Sequence, residues 1–222
     1  MIRAVIFDLD ETLVNNLKNH IKASTEVFKP FQKGTTLITE EDPKYQGMRV
    51  SDAVRDMMRK LHIPDSRFDE LYRKRQQIFL SLVKRSCKPM AGIAYITTLV
   101  DALHLKKALA SSGMKKYIEL ALRGIKLTGY FDAIVSGEEL SRGKPDPETF
   151  LVAARKLGLH PSDCIVIEDA KVGVVAAKRA GMKCIGVHYP STWDKALAQD
   201  LSRADIEVRS LKAITEKMLM GT

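Results

Sequence analysis

Four consecutive apolar residues, Ala4 to Phe7, run straight into the polar string DLDET at positions 8–12. A short unbroken run of apolar, β-prone residues is the pattern of a strand covered on both faces in a parallel sheet. From about residue 91 the pattern alternates. Helical periodicity near 91–104 leads to KKALAS, ending at Ser111, and a second helical stretch near 114–123 leads to FDAIVS at 131–136. Helices near 147–158 and 171–181 lead to DCIVIED at 163–169 and KCIGV at 183–187. A short strand in ADIEV and a helix near 211–220 close the chain. Short strands separated by helices of about 10–15 residues predict βαβ units and a parallel sheet. Right-handed crossovers then give a Rossmann-like three-layer α/β core.

Residues 15–85 break that alternation and read as helices only, near 16–32, 50–62 and 66–86. A polar, turn-rich connection, QKGTTLITEEDPKYQG, separates the first two. Val54, Met57, Met58 and Leu61 recur at helical spacing and predict a small core of their own. YRKRQQ at 72–77 reads as a solvated helix face. Because the alternation resumes after CKPMAG, the block is expected to be an all-helical cap domain, 15–87, inserted into a core domain of 1–14 and 88–222.

Composition narrows the class without deciding it. The 222 residues are 45% hydrophobic and 28% charged, as in an ordinary globular protein. No apolar run approaches the roughly 20 residues of a membrane span, and no signal-peptide pattern opens the chain. Three scattered cysteines, Cys87, Cys164 and Cys184, suit a reducing compartment, so a cytoplasmic protein with no membrane partner is expected. The formal charge is +9, and residues 15–85 hold 15 Lys and Arg against 9 Asp and Glu. A basic cap suits nucleic acid, anionic lipid or a small anionic substrate. Few aromatics lie among its basic residues, which weighs against binding single strands, and no nucleic-acid partner is expected.

In open α/β sheets, ligands bind beyond the carboxyl ends of the strands. Four groups are placed there: Asp8 with Asp10, Ser111 with Ser112, the segment leading to Lys144, and Glu168 with Asp169. Singly, each has an ordinary explanation as a cap, a turn former or a surface charge. Together they match the needs of phosphoryl transfer. A carboxylate attacks phosphorus covalently, and a hard divalent cation keeps it ionised. A second carboxyl in a different environment moves the protons. A hydroxyl and helix N-terminal amides near Ser111–Ser112–Gly113 hold phosphoryl oxygens, and a lysine supplies fixed positive charge.

DLDET, LASS, GKPDPETF and IEDAKVGVVAAKRAGM, in this order, resemble the four motifs of the haloacid dehalogenase-like hydrolase superfamily. The insertion after the first motif resembles the C1-type cap of its β-phosphoglucomutase and phosphatase branch. That resemblance implies Asp8 as nucleophile, Asp10 as general acid/base, Ser111 (with Ser112 beside it) as phosphoryl binder, and Lys144 as stabiliser of the nucleophile and its phosphoester, a phosphate-binding group as well. It implies Mg²⁺ held by the Asp8 carboxylate, the Asp10 carbonyl and Asp169, with Glu168 beside the site. In the cap it points to His20 and Arg49 as substrate contacts. The expected activity is hydrolysis of a small phosphorylated metabolite, a sugar phosphate above all, through an aspartyl-phosphate. The nearest alternative is a β-phosphoglucomutase-type phosphomutase, although the segment after Gly47 departs from the mutase pattern. A non-catalytic binding protein using the basic cap is the more distant one.

Two departures stand out. Glu11 occupies a position where this branch usually has Gly, and it reads as an exposed charge or as a group repelling anionic substrate tails. Asn15 and Asn16 replace the usual Asp-Ser or Asp-Thr. For Trp193 the sequence does not choose between packing and binding.

Overall fold

The computed structural model describes residues 1–32, 45–188 and 200–221. Trp193 lies outside the described residues.

The central sheet has six parallel strands in the order β5-β4-β1-β6-β7-β8. They are β1 (Ala4–Phe7), β4 (Lys106–Ala110), β5 (Ala133–Val135), β6 (Cys164–Glu168), β7 (Lys183–Val187) and β8 (Ile206–Val208). Two-residue β2 (Val14–Asn15) and β3 (Lys88–Pro89) form a separate antiparallel ribbon. Successive residues of β1 face opposite sides. Val5 and Phe7 join one apolar cluster while Ala4 and Ile6 join the other. β6 does the same, Ile165 and Ile167 opposing Cys164 and Val166. The unbroken apolar runs of the sequence are therefore strands with helices on both faces.

Helices α4 (Ile93–Ala102), α5 (Lys115–Gly124) and α8 (Glu216–Met220) supply the first cluster, and α6 (Glu148–Leu157) and α7 (Lys171–Arg179) the second. The helix anticipated at 211–220 is divided, with a 3₁₀ turn at Leu211–Ala213 before α8. Thr215 caps α8, its Oγ1 accepting the Met218 N–H at 3.4 Å.

Between the strands of the ribbon lie α1 (Leu17–Phe28), α2 (Val50–Lys60) and α3 (Phe68–Arg85). They enclose a third cluster that includes Val27, Phe28, Val54, Met57, Met58 and Leu71. The 72–77 stretch is not uniformly solvated. Arg73, Lys74 and Gln77 are exposed, but Arg75 and Gln76 are buried on the opposite side of α3.

β1 is the switch point of the sheet. The chain leaves it first toward β4 and β5, then returns to build β6, β7 and β8 on its other side. A crevice opens where neighbouring connections diverge in this way, at the carboxyl end of β1.

Candidate active site

Phe7 stands level with Leu109 of β4 and Ile167 of β6, so Asp8, Ser111 and Glu168–Asp169 leave the sheet at one edge. Asp8 extends the ladder by one bond, its N–H donating to the Ile167 carbonyl at 3.0 Å. Its buried side chain meets Lys144, whose Nζ lies 2.5 Å from Asp8 Oδ1 and 2.6 Å from Glu168 Oε1. Burial opposes charge on Lys144, but the two carboxylates beside it hold the ammonium above its ordinary range. The second oxygen of Glu168 accepts the N–H groups of Asp169 and Ala170, each at 2.8 Å. A Cβ on Gly173, in the first turn of α7, would lie 1.7 Å from Glu168 Oε1. Glycine there leaves the space that the carboxylate fills. Asp169 is fixed in turn by Thr12, whose Oγ1 donates to its Oδ1 at 3.2 Å.

Oxygens of Asp8, Glu168 and Asp169 lie within 4.8 Å of one another, and all three residues are buried. Three carboxylates share one lysine, leaving an excess of negative charge that the interior tolerates poorly. Burial pushes the Asp8 carboxyl up from 3.8 to about 8, with Glu168 and Asp10 adding to the rise and Lys144 opposing it. Burial, then Glu168 and Asp8, raises Asp169 well above its usual range. A compact, all-oxygen, net-negative donor set fits a hard divalent cation.

This arrangement fixes the sign of a pH effect. A carboxyl raised in the folded state contributes stability below its unfolded value and loses it as pH rises toward the folded one. In cation-free buffer, stability is therefore expected to decline between about pH 5 and 8, a range in which ordinary surface carboxylates are already ionised. A divalent cation should abolish the decline and release protons on binding. Thermal melts across that range with chelator and with Mg²⁺ measure this; identical profiles would contradict it.

Asp10 follows two residues on, with its side chain 32% exposed to the crevice. Tyr117 of α5 donates its hydroxyl proton to Asp10 Oδ1 and accepts the Asn16 Nδ2–H at 2.9 Å. Burial, reinforced by the Asp10 charge, keeps the phenol well above its usual range. His20 of α1 approaches from the cap, Nε2 standing 3.5 Å from Asp10 Oδ1. Arg75 Nη2, a donor only, lies 2.7 Å from His20 Nδ1, which places the imidazole proton on Nε2. The Arg75 guanidinium is itself buried, against Ser24 Oγ, Gln76 Oε1 and the Phe79 ring.

The two serines part company. Ser111 is buried, and its Oγ accepts the Gly113 N–H at 3.0 Å. Ser112 faces the crevice and donates to the Gly47 carbonyl of the cap at 3.0 Å. Gly47 has φ +73, and a Cβ there would come within 2.9 Å of Ala170 and Val172, so only glycine lets this loop seat on the core without strain. Met48, Val50, Ala53 and Leu17 give the crevice an apolar ceiling. Arg49 is not among its lining residues. Its guanidinium pairs with Asp52 at 3.0 Å and donates to the Leu140 and Ser141 carbonyls of the core, both at 3.2 Å.

Glu11 is not an exposed charge. It has φ +55, and its Oε1 accepts the N–H groups of Asn16 at 2.7 Å and Leu17 at 2.8 Å, at the start of α1. Burial raises its carboxyl, while those two N–H groups oppose the rise. Tyr117, Asn16 and Arg75 had no place in the sequence-level site. For Tyr117 a signal existed: a tyrosine within the apolar face Tyr117, Ile118, Ala121 and Leu122 requires a partner for its hydroxyl.

A family model for haloacid dehalogenase-like hydrolases matches residues 5–187. The chain belongs to this family. Among its haloacid dehalogenase-like relatives is a phosphorylated carbohydrates phosphatase of Thermotoga maritima, 28% identical over 98% of this chain and 100% of the relative. A fructose-1-phosphate phosphatase of Escherichia coli is 29% identical over 82% of this chain and 95% of its own. A β-phosphoglucomutase of Bacillus subtilis is 27% identical over 98% and 94%. The crystal structure of a β-phosphoglucomutase from Clostridium difficile superposes with a TM-score of 0.84 at 23% identity, covering 100% of this chain and 96% of that one. That likeness establishes a shared α/β fold with its helical cap. Among the described residues, no helix is long and apolar enough to cross a membrane.

Proposed function

We propose that this haloacid dehalogenase-like protein is a Mg²⁺-dependent phosphatase of a small phosphorylated metabolite, a sugar phosphate in class, working through an aspartyl-phosphate on Asp8. The observation that carries the reading is the convergence of Asp8, Asp10 and Asp169 on one crevice roofed by the cap, with Lys144 buried against Asp8. The phosphatases among its relatives, one of them acting on fructose 1-phosphate, support the substrate class.

In the first step an Asp8 carboxylate oxygen attacks phosphorus as the bond to the leaving oxygen breaks, and Asp10 gives that oxygen its proton. In the second, Asp10 takes a proton from water, the water oxygen attacks phosphorus, and the bond to Asp8 breaks, releasing inorganic phosphate. Lys144 holds fixed positive charge against Asp8 through both steps. Asp8 and Asp169 with the Asp10 carbonyl would hold Mg²⁺, which supplies charge neutralisation for the transferring group. Glu168, whose oxygens already accept from Lys144 and two backbone N–H groups, positions that lysine. We assign Ser111, whose Oγ accepts the Gly113 N–H and keeps its own proton to donate, and Ser112 to the phosphoryl oxygens. We place the cap at 15–87, joined to the core through the β2–β3 ribbon, with His20 contacting substrate from α1. Three free cysteines suit a reducing, cytoplasmic setting.

The phosphomutase reading requires a second phosphate held beneath the cap. The lining of the crevice includes neither Lys nor Arg among the described residues, and Arg49 is engaged by Asp52 and two carbonyls. A monophosphate with an uncharged, hydroxyl-bearing remainder suits that lining. Incubation of glucose 1-phosphate with Mg²⁺ and a bisphosphate primer should yield inorganic phosphate; accumulation of glucose 6-phosphate would overturn the choice.

A further inference from the structure

We propose that Tyr117, oriented by Asn16, is a positioning residue for Asp10 and fixes which carboxylate oxygen carries the transferable proton. The proposal rests on the acid/base reading of Asp10 given above. Tyr117 packs with Ile118, Ala121 and Leu122 on the buried face of α5, where phenylalanine would meet the packing need alone. Its hydroxyl instead links two segments 101 residues apart, standing between Asn16 Nδ2 and Asp10 Oδ1.

The polarity of this chain is set from its far end. Asn19 Nδ2 donates to the Ser86 carbonyl at 2.9 Å and to Asn16 Oδ1 at 2.8 Å. A carbonyl only accepts, so the NH₂ group of Asn19 faces both partners, and Asn16 Oδ1 is the acceptor of the second. Asn16 Nδ2 therefore donates to Tyr117. Having accepted there, the phenol turns its only proton to Asp10 Oδ1. Glu11 anchors the backbone end of this chain by accepting the Asn16 and Leu17 N–H groups at 2.7 and 2.8 Å. His20 Nε2 approaches the same oxygen of Asp10 at 3.5 Å. Oδ1 is thus an acceptor throughout, and the proton given to the leaving oxygen and recovered from water resides on Oδ2. Tyr117 and Asn16 touch no reacting atom; they act through Asp10.

The test compares leaving groups. Tyr117→Phe removes only the hydroxyl. An alkyl phosphate leaves as a strong base and needs the proton, so its kcat/KM should fall about tenfold or more. p-Nitrophenyl phosphate leaves as a stable phenolate, and its kcat/KM should fall by no more than about threefold. Equal losses on both esters, or no loss on either, would overturn the proposal. Asp10→Asn serves as the reference. If it shows the selective loss and Tyr117→Phe does not, the positioning role alone fails. If it lowers both esters equally, the acid/base reading fails and takes the proposal with it. Should Tyr117→Phe not fold, Asn16→Ala decides: a smaller shift of the same ratio supports the chain, and an unchanged ratio overturns it.

Discussion

Asp8→Asn should lower kcat for any phosphomonoester by about 10⁴-fold or more, because it removes the atom that bonds to phosphorus. The fold should survive the change. Asp8 is one of three buried carboxylates that share a single lysine, and burial already drives its carboxyl up to about 8. An amide at this position keeps the shape while removing one charge from a crowded, desolvated cluster. In cation-free buffer the variant should melt at or above the parent temperature. Near-normal turnover by a well-folded Asp8→Asn protein would contradict the assignment of the nucleophile.

Lys144→Met should damage both activity and stability, and that combination distinguishes it from Asp8→Asn. Its side chain is fully buried and bridges Asp8 and Glu168 at 2.5 and 2.6 Å. Methionine preserves the apolar stem but removes the ammonium, which lies 5.0 Å from the Phe150 ring centroid, and leaves two carboxylates facing each other without a cation. Breaking a buried ion pair by removing one partner costs about 3–5 kcal/mol, and losing a preorganised charge at the reacting group costs about 10²–10³-fold in kcat. Denaturant titration in chelator, together with initial rates at saturating Mg²⁺, measures the two effects. A variant equal to the parent in both would remove Lys144 from the account.

The alternation of apolar strands and helices from residue 91 onward was legible because the strands inside the sheet, β4, β6 and β7, send residues into the apolar clusters on both faces. A strand so covered must be apolar along its whole length, as in Cys164–Ile167. The positions at the strand ends were legible through motif order, which relates Asp8 to Lys144 across 136 residues. Contacts that depend on a single hydrogen bond between distant segments were not. Tyr117 signals only that a buried hydroxyl needs a partner, and its bonds to Asn16 and Asp10 leave no periodic trace that names those partners. Arg75 lies in a charged run, and one turn of α3 decides that it is buried while Arg73 and Lys74 are exposed. Arg49 was expected to reach a substrate anion, whereas the structure turns it to Asp52 and the core carbonyls of Leu140 and Ser141. Glu11 was hidden by its neighbours, since its role requires the chain to double back so that Asn16 and Leu17 present their N–H groups to it.

The central claim is covalent phosphorylation of Asp8. Rapid quenching of the enzyme with Mg²⁺ and a phosphomonoester, followed by borohydride reduction and peptide mass spectrometry, reads it directly. An aspartyl-phosphate at position 8 predicts conversion of that residue to homoserine, dependent on both substrate and Mg²⁺. Turnover with residue 8 unmodified, or with homoserine appearing at Asp10 or Asp169 instead, would contradict the account.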